Sequence, residues 1–314
     1  MRILVVGAGA IGGYYGGRLL QAGRDVTFLV RARRAQQLAT TGLVIRSQFG
    51  DAALPAPPTI AAETLRDHYD LILLSCKAYD LAAAVESFAP AVGPNTAILP
   101  LLNGMRHLDL LSERFGARAV LGGLAVISTT LDAEGHILHL NDVHLLAFGE
   151  RDGGLSPRVE AIASEFSGAR FEARLSKTIL QEMWEKWVFI TSTAGITCLM
   201  RAAIGDVVAA GGADLAAALL DECCAVAAAQ NFPPAQASVQ RMRGVLTAPG
   251  STFAASMLRD IERGAPIEAD HIVGDFLRRG EAAGRDYPLL RIANAHLKAY
   301  EARRAREHAS AKMA

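Results

Sequence analysis

The chain carries no excess of either charge, with 32 lysines and arginines against 32 aspartates and glutamates in 314 residues. A nucleic-acid reader normally has a basic surplus, and the tail EARRAREH is too short to supply one, so nucleic acid is not an expected partner. Cysteine is scarce: Cys76, Cys198, Cys223 and Cys224 show neither CxxC spacing nor a His-Cys cluster, so no metal site is expected. They read as small buried hydrophobes in a reducing compartment. Long apolar runs are missing too. The opening ILVV stops at Gly7, short of the roughly 7–15 residues of a signal-peptide core, and no uncharged apolar run reaches the roughly 18 residues of a membrane span. The expectation is a soluble, cytoplasmic protein with no membrane partner, and no internal repeat or low-complexity linker stands out.

Core material is plentiful, at 51% apolar residues, and the length suits two domains of about 100–200 residues each. The segments RILVV, DVTFLV, LILLSC and TAILPLL are nearly continuous apolar runs of strand length, as strands buried on both faces require. Helical stretches such as GGYYGGRLLQAG and AYDLAAAVESFAP separate them, which predicts a parallel, doubly wound sheet. From about residue 118 the segments AVLGGLAVISTT, HILHL and VHLLAFG, joined by LDAEG and ND, predict antiparallel strands added to the edge of that sheet. A helix is predicted around RVEAIASEF, and the remainder is helical. The fold class expected is α/β, with an N-terminal Rossmann-type domain over residues 1–173 followed by an all-α domain over 174–314.

Gly7, Gly9 and Gly12 form GxGxxG between a strand and a helix. The first glycine permits a tight turn, the second admits a pyrophosphate against the backbone, and the third lets helix and strand pack closely. Residues Gly7, Ala8, Gly9, Ala10, Ile11 and Gly12 are therefore expected to hold a dinucleotide at a helix N-terminus. Where an NAD site ends its second strand with an acid, this chain reads Val30-Arg31-Ala32-Arg33-Arg34. A guanidinium pairs with a 2′-phosphate, so NADP(H) is the expected cofactor, with Arg31 its leading contact and Arg33 or Arg34 secondary. Lys77 in SCKAYD and Asn103 in LLNGM end successive strands, where parallel sheets bind ligands.

With these motifs in place the chain resembles the ketopantoate reductase family, which reduces 2-dehydropantoate to pantoate with NADPH in pantothenate biosynthesis. The resemblance rests on GAGAIG, Arg31, CKAYD, LLNGM, the EMWEKW segment and SMLRDIERGAPIEADHIVG, and runs over nearly the whole chain. It implies an oxidoreductase acting on a small 2-oxo acid, with Lys186 as general acid and Asn103 touching cofactor and substrate. It further implies Lys77 as a second lysine by the cofactor, Ser256 as a substrate ligand, Glu268 as a carboxylate near cofactor and lysine, and Asp260 as a supporting acid.

The residues themselves agree with the leading role. Hydride addition to a ketone leaves negative charge on oxygen, which needs a proton donor. Lys186 is the last charged residue before WVFITSTAGITCLM, and a lysine at the mouth of such a buried helix would be partly desolvated and more acidic. Ser256 and Asp260 share a helix face. Pro266 is expected to start a helix with Glu268 in its first turn, where the carboxylate either complements the helix dipole or holds Lys186.

The chain departs from the family where asparagines are expected to bind the substrate, with Ile190, Ala194 and Ile204 in their places. Thr193 and Thr197 lie near the azimuth of Lys186 on an unbroken helix and are expected to compensate, with Gly195 able to disturb the register. A less polar pocket predicts another branched 2-oxo acid as the preferred substrate. An NADP-dependent 2-hydroxy acid dehydrogenase working oxidatively, and a catalytically silent NADP-binding regulator, are the competing readings. The Ala-rich face ADLAAALLDECCAVAAAQ can pack within its domain or against another copy, and a homodimer is the expected assembly.

Overall fold

Five short runs build one parallel sheet in the order β5-β2-β1-β6-β7, formed by β1 (Arg2–Val6), β2 (Asp25–Leu29), β5 (Thr59–Ile60), β6 (Tyr69–Leu74) and β7 (Val92–Pro100). The computed structural model describes residues 1–313, with side chains to Ser310. Its contacts divide it into one unit of Met1–Leu102 with His107–Leu180, and a second of Asn103–Arg106 with the chain from Gln181 onward.

In the first unit Ile3, Leu4 and Val5 are fully buried, so β1 is covered on both faces, as its unbroken apolar run requires. Helix α1 (Ala10–Gln21) follows, and α2 (Ala32–Thr41), α3 (Leu81–Phe88), α4 (Arg106–Phe115) and α5 (Pro157–Phe166) are the further α-helices before α6 (Ile179–Met200).

The strands expected at the edge of this sheet instead belong to a second one. Its order is β10-β9-β3-β4, from β3 (Leu43–Arg46), β4 (Ala52–Leu54), β9 (Ile137–Gly149) and β10 (Glu172–Leu175), with β8 (Gly122–Leu131) antiparallel to β9. The reason lies in α1, which packs on both sheets. A Cβ at Gly16 would meet Phe28 at 2.7 Å and Val5 at 2.9 Å, while one at Gly17 would meet Leu43 at 2.7 Å and one at Gly13 Ile137 at 2.6 Å. The Tyr14 hydroxyl is hydrogen-bonded to His144 Nδ1 at 2.8 Å, and Tyr15 donates to the Leu145 carbonyl at 2.9 Å, so GGYYGG ties the helix to β9.

The second unit is helical: α6 (Ile179–Met200), which starts in the first unit, then α7 (Ile204–Ala209), α8 (Ala213–Ala229), α9 (Gln236–Leu246), α10 (Ser256–Glu262), α11 (Asp275–Glu281) and α12 (Pro288–Met313). Gly195 does not break α6. A Cβ there would lie 2.7 Å from Leu219 of α8, so the missing side chain permits close packing. The Ala-rich α8 packs on α9, α11 and α12 through residues that include Leu219, Leu220, Cys223 and Val226. Trp184 and Trp187 are buried around Phe276. Among the described residues no helix is long and apolar enough to cross a membrane.

Gly12 supplies a stability test. A Cβ at Gly12 would stand 2.2 Å from the Gly7 carbonyl oxygen and 2.1 Å from Ser75 Oγ. Since the first of these is backbone, Gly12→Ala must move α1 and is expected to lower stability by about 1–3 kcal/mol in denaturant melts. An unchanged midpoint would show that α1 can shift freely.

Candidate active site

The glycine turn divides its labour among its three glycines. Gly7 has φ of +94°, which a side chain would strain, and its N–H donates to the Leu29 carbonyl at 3.0 Å. Gly12 is required by packing. At Gly9 neither reason applies, because a Cβ there would meet nothing within 4 Å. The space it leaves open is what a pyrophosphate needs against the backbone. Gly13 N–H makes the first turn's bond to the Gly9 carbonyl at 2.8 Å, so the N–H groups of Ala10, Ile11 and Gly12 precede the helical ladder at the positive end of α1. Ser75 Oγ donates to the Val6 and Gly7 carbonyls at 3.0 and 3.2 Å and braces the turn from β6.

Arg31 caps α2 with its side chain 78% exposed, and its guanidinium donates to Asp80 of CKAYD at 2.8 Å. Arg33 is exposed. Arg34 departs from the expected secondary role: its Nε donates to the Ala8 carbonyl at 3.0 Å and Nη1 to the Gly135 carbonyl at 3.1 Å. It fastens the glycine turn to the β8–β9 hairpin, and burial lowers its pKa. The charge pattern flags a group of three arginines, but not which of them turns inward. Lys77 is exposed, three residues beyond β6.

In the second unit Lys186 lies two turns inside α6 rather than at the mouth of a helix, because the helix begins at Ile179. It is half-buried. Desolvation lowers its pKa to about 8, opposed by the nearby Glu268 carboxylate. Pro266 does not start the following helix. Residues 265–268 lie outside any helix, and Glu268, just before the helical turn, accepts the Ile272 N–H on its backbone carbonyl at 3.0 Å. That turn, Asp270–Gly274, is a π-helix, and its Ile272 carbonyl accepts the Trp187 indole N–H at 2.8 Å. The tryptophan next to the lysine is thus locked to the segment that carries the carboxylate.

Asn103 lies beyond the end of β7 and packs with this unit. The His271 ring is hydrogen-bonded to its backbone, and burial lowers the His271 pKa while Glu268 opposes the shift. Lys186, Glu268, His271 and the Asn103 backbone therefore form one connected group. Sequence reasoning misses His271, which stands in EADHIVG with no spacing signal of its own.

Ser256 begins α10 and is exposed, with Asp260 half-buried one turn on. Thr193 and Thr197 have another occupation than substrate binding. Both are buried, and their hydroxyls donate to the Phe189 and Thr193 carbonyls at 2.8 and 2.7 Å, as mid-helix threonines commonly do. Thr197 Oγ1 also accepts the Ala255 N–H at 3.4 Å. Of the three positions with asparagine expected, Ala194 and Ile204 are buried and Ile190 is half-buried.

Comparison with known proteins converges on one family. The family model described as Ketopantoate reductase PanE/ApbA matches residues 3–153, and its C-terminal counterpart matches residues 178–301. The chain is 38% identical to the uncharacterized oxidoreductase YkpB of Bacillus subtilis, over 96% of this chain and 99% of that protein. It is 27% identical to a 2-dehydropantoate 2-reductase of Mesorhizobium japonicum, covering 92% and 94% of the two chains. Among solved structures, 2-dehydropantoate 2-reductase from Methylococcus capsulatus superimposes with a TM-score of 0.86 at 30% identity, covering 97% of this chain and 98% of the other.

Proposed function

Because the chain belongs to the ketopantoate reductase family of oxidoreductases, we propose that it reduces a small 2-oxo acid with NADPH, Lys186 delivering the proton. When bound, NADPH supplies the hydride. Gly9 and the N–H groups at the start of α1 would receive the pyrophosphate, and Arg31 the 2′-phosphate. Lys186 would stand at the carbonyl oxygen as charge develops there and transfer its proton from Nζ. Glu268 keeps the ammonium charged against the desolvation around it, and the Trp187 bond to Ile272 holds the two segments in register.

The observation that carries this reading is a half-buried lysine with a pKa lowered to about 8 beside a carboxylate, a proton donor tuned to work near neutral pH. The family's substrate is 2-dehydropantoate, yet Ile190, Ala194 and Ile204 offer a substrate hydroxyl no partner, which favours a less polar 2-oxo acid. The test is NADPH consumption, followed by absorbance, with a panel of 2-oxo acids. Turnover of at least one is expected; a panel with no turnover rejects the reductase reading in favour of a silent NADP-binding protein.

A further inference from the structure

Beyond its charged neighbours, Lys186 is followed on α6 by apolar side chains. One turn further along α6, Phe189 and Ile190 share the lysine's face, and both are half-buried. Phe189 stacks on Phe253, with ring centroids 5.8 Å apart and planes 13° apart. Phe253 lies in the segment that leads into Ser256, and that segment is fastened at three points. The Phe253 carbonyl accepts the Ile204 N–H at 2.9 Å, the Ser251 carbonyl accepts the Gly205 N–H at 2.8 Å, and the Ala255 N–H reaches Thr197 Oγ1 at 3.4 Å. The 40% exposure of Phe253 is therefore that of a ring on a held backbone, not of a loose loop. Keeping this aromatic ring open to water, stacked on a residue one turn from Lys186, forgoes burial that the fold could otherwise gain. An apolar wall with a few polar groups is, however, the usual make-up of a small-molecule site.

The geometry points to a substrate side-chain subsite made by Phe189, Ile190 and Phe253, which takes a 2-oxo acid carrying a flat apolar group, an aryl ring above all. This rests on the 2-oxo acid reductase reading and adds the chemistry of the side chain. A hydroxylated side chain placed against these three residues would lose water and meet no polar side-chain group on any of them. An aryl ring gains twice, by burial and by offset or edge-to-face pairing with the two phenylalanines, whereas a branched aliphatic group gains by burial alone.

The test compares kcat/KM for phenylglyoxylate, 2-oxoisovalerate, ketopantoate and pyruvate, alongside calorimetric binding of the same acids to the enzyme saturated with NADP+. Phenylglyoxylate is expected to exceed ketopantoate and 2-oxoisovalerate by about tenfold or more. Phe253→Asn is expected to shrink that ratio about tenfold, through KM rather than kcat, and Phe253→Leu to retain more of it. NADPH binding by fluorescence identifies folded variants, and if a variant fails it, the wild-type ranking decides alone. A wild-type preference for ketopantoate or 2-oxoisovalerate, or a ratio unmoved in a folded Phe253→Asn protein, overturns the subsite. If no 2-oxo acid is turned over, the reductase reading has failed, and the calorimetric ranking still judges the subsite: tightest binding of phenylglyoxylate supports it and any other order overturns it.

Discussion

Lys186→Ala is expected to lower kcat for 2-oxo acid reduction by about 10²–10⁴-fold, the usual contribution of a positioned proton donor, while NADPH still binds. The groups nearby cannot replace it. His271 is pushed by burial below its ordinary range, so it is uncharged at neutral pH, and its ring is already bonded to the Asn103 backbone. In the proposed mechanism Glu268 acts on the reaction through the lysine. The expected pH dependence follows from the sign of the Lys186 shift. If reduction uses the ammonium form, as proposed, activity is expected below the pKa of about 8 and is expected to be lost as pH rises through it. Glu268→Gln removes a carboxylate that raises this pKa, and the alkaline limb should move to lower pH. A structural role for Lys186 would leave the limb in place. A Lys186→Ala protein that turns over at the wild-type rate, or a Glu268→Gln profile that does not move, defeats the assignment.

The parts of the molecule that can be read from the sequence are those whose physics is local. β1 and β6 are apolar on both faces because helices or a sheet cover each side, and burial of this kind is what an unbroken apolar run of strand length records. β3 and β4 leave no such mark. Leu43–Arg46 and Ala52–Leu54 are short and partly exposed, and β3 finds its parallel partner in β9, some ninety residues later. The second sheet has a trace in GGYYGG, whose surplus of glycines is more than a dinucleotide turn needs and makes sense only when α1 is packed from two sides. In the site, Lys186 stands out because it is the last charged residue before the uncharged C-terminal part of α6. The azimuths of Thr193 and Thr197 follow from an unbroken helix, which α6 is, but azimuth does not tell whether a hydroxyl faces a ligand or folds back on its own helix. The stacking of Phe189 on Phe253 joins residues on different elements and leaves no periodic signal.

Arg31→Ala is expected to raise KM for NADPH by about 10–100-fold, the scale of a lost hydrogen bond to a charged group, and to change KM for NADH little. Only the 2′-phosphate distinguishes the two cofactors, so an effect confined to NADPH isolates that contact. The structure adds a competitor. Asp80 holds the Arg31 guanidinium at 2.8 Å, and a bound phosphate would have to share or displace it. The pair is exposed, so breaking it costs about 0–1 kcal/mol. Asp80→Asn should therefore lower KM for NADPH by up to about fivefold, because it removes both the competition and the repulsion between carboxylate and phosphate. Asp80 also offers a carboxylate of the kind that accepts ribose hydroxyls in NAD sites, which gives the two variants opposite expected effects on preference: Arg31→Ala towards NADH, Asp80→Asn towards NADPH. Added salt should weaken NADPH binding more than NADH binding in the wild type, and the difference should vanish in Arg31→Ala. Equal rises in both Michaelis constants for Arg31→Ala would mean that the guanidinium does not read the 2′-phosphate, and the NADP(H) preference would then have lost its leading contact.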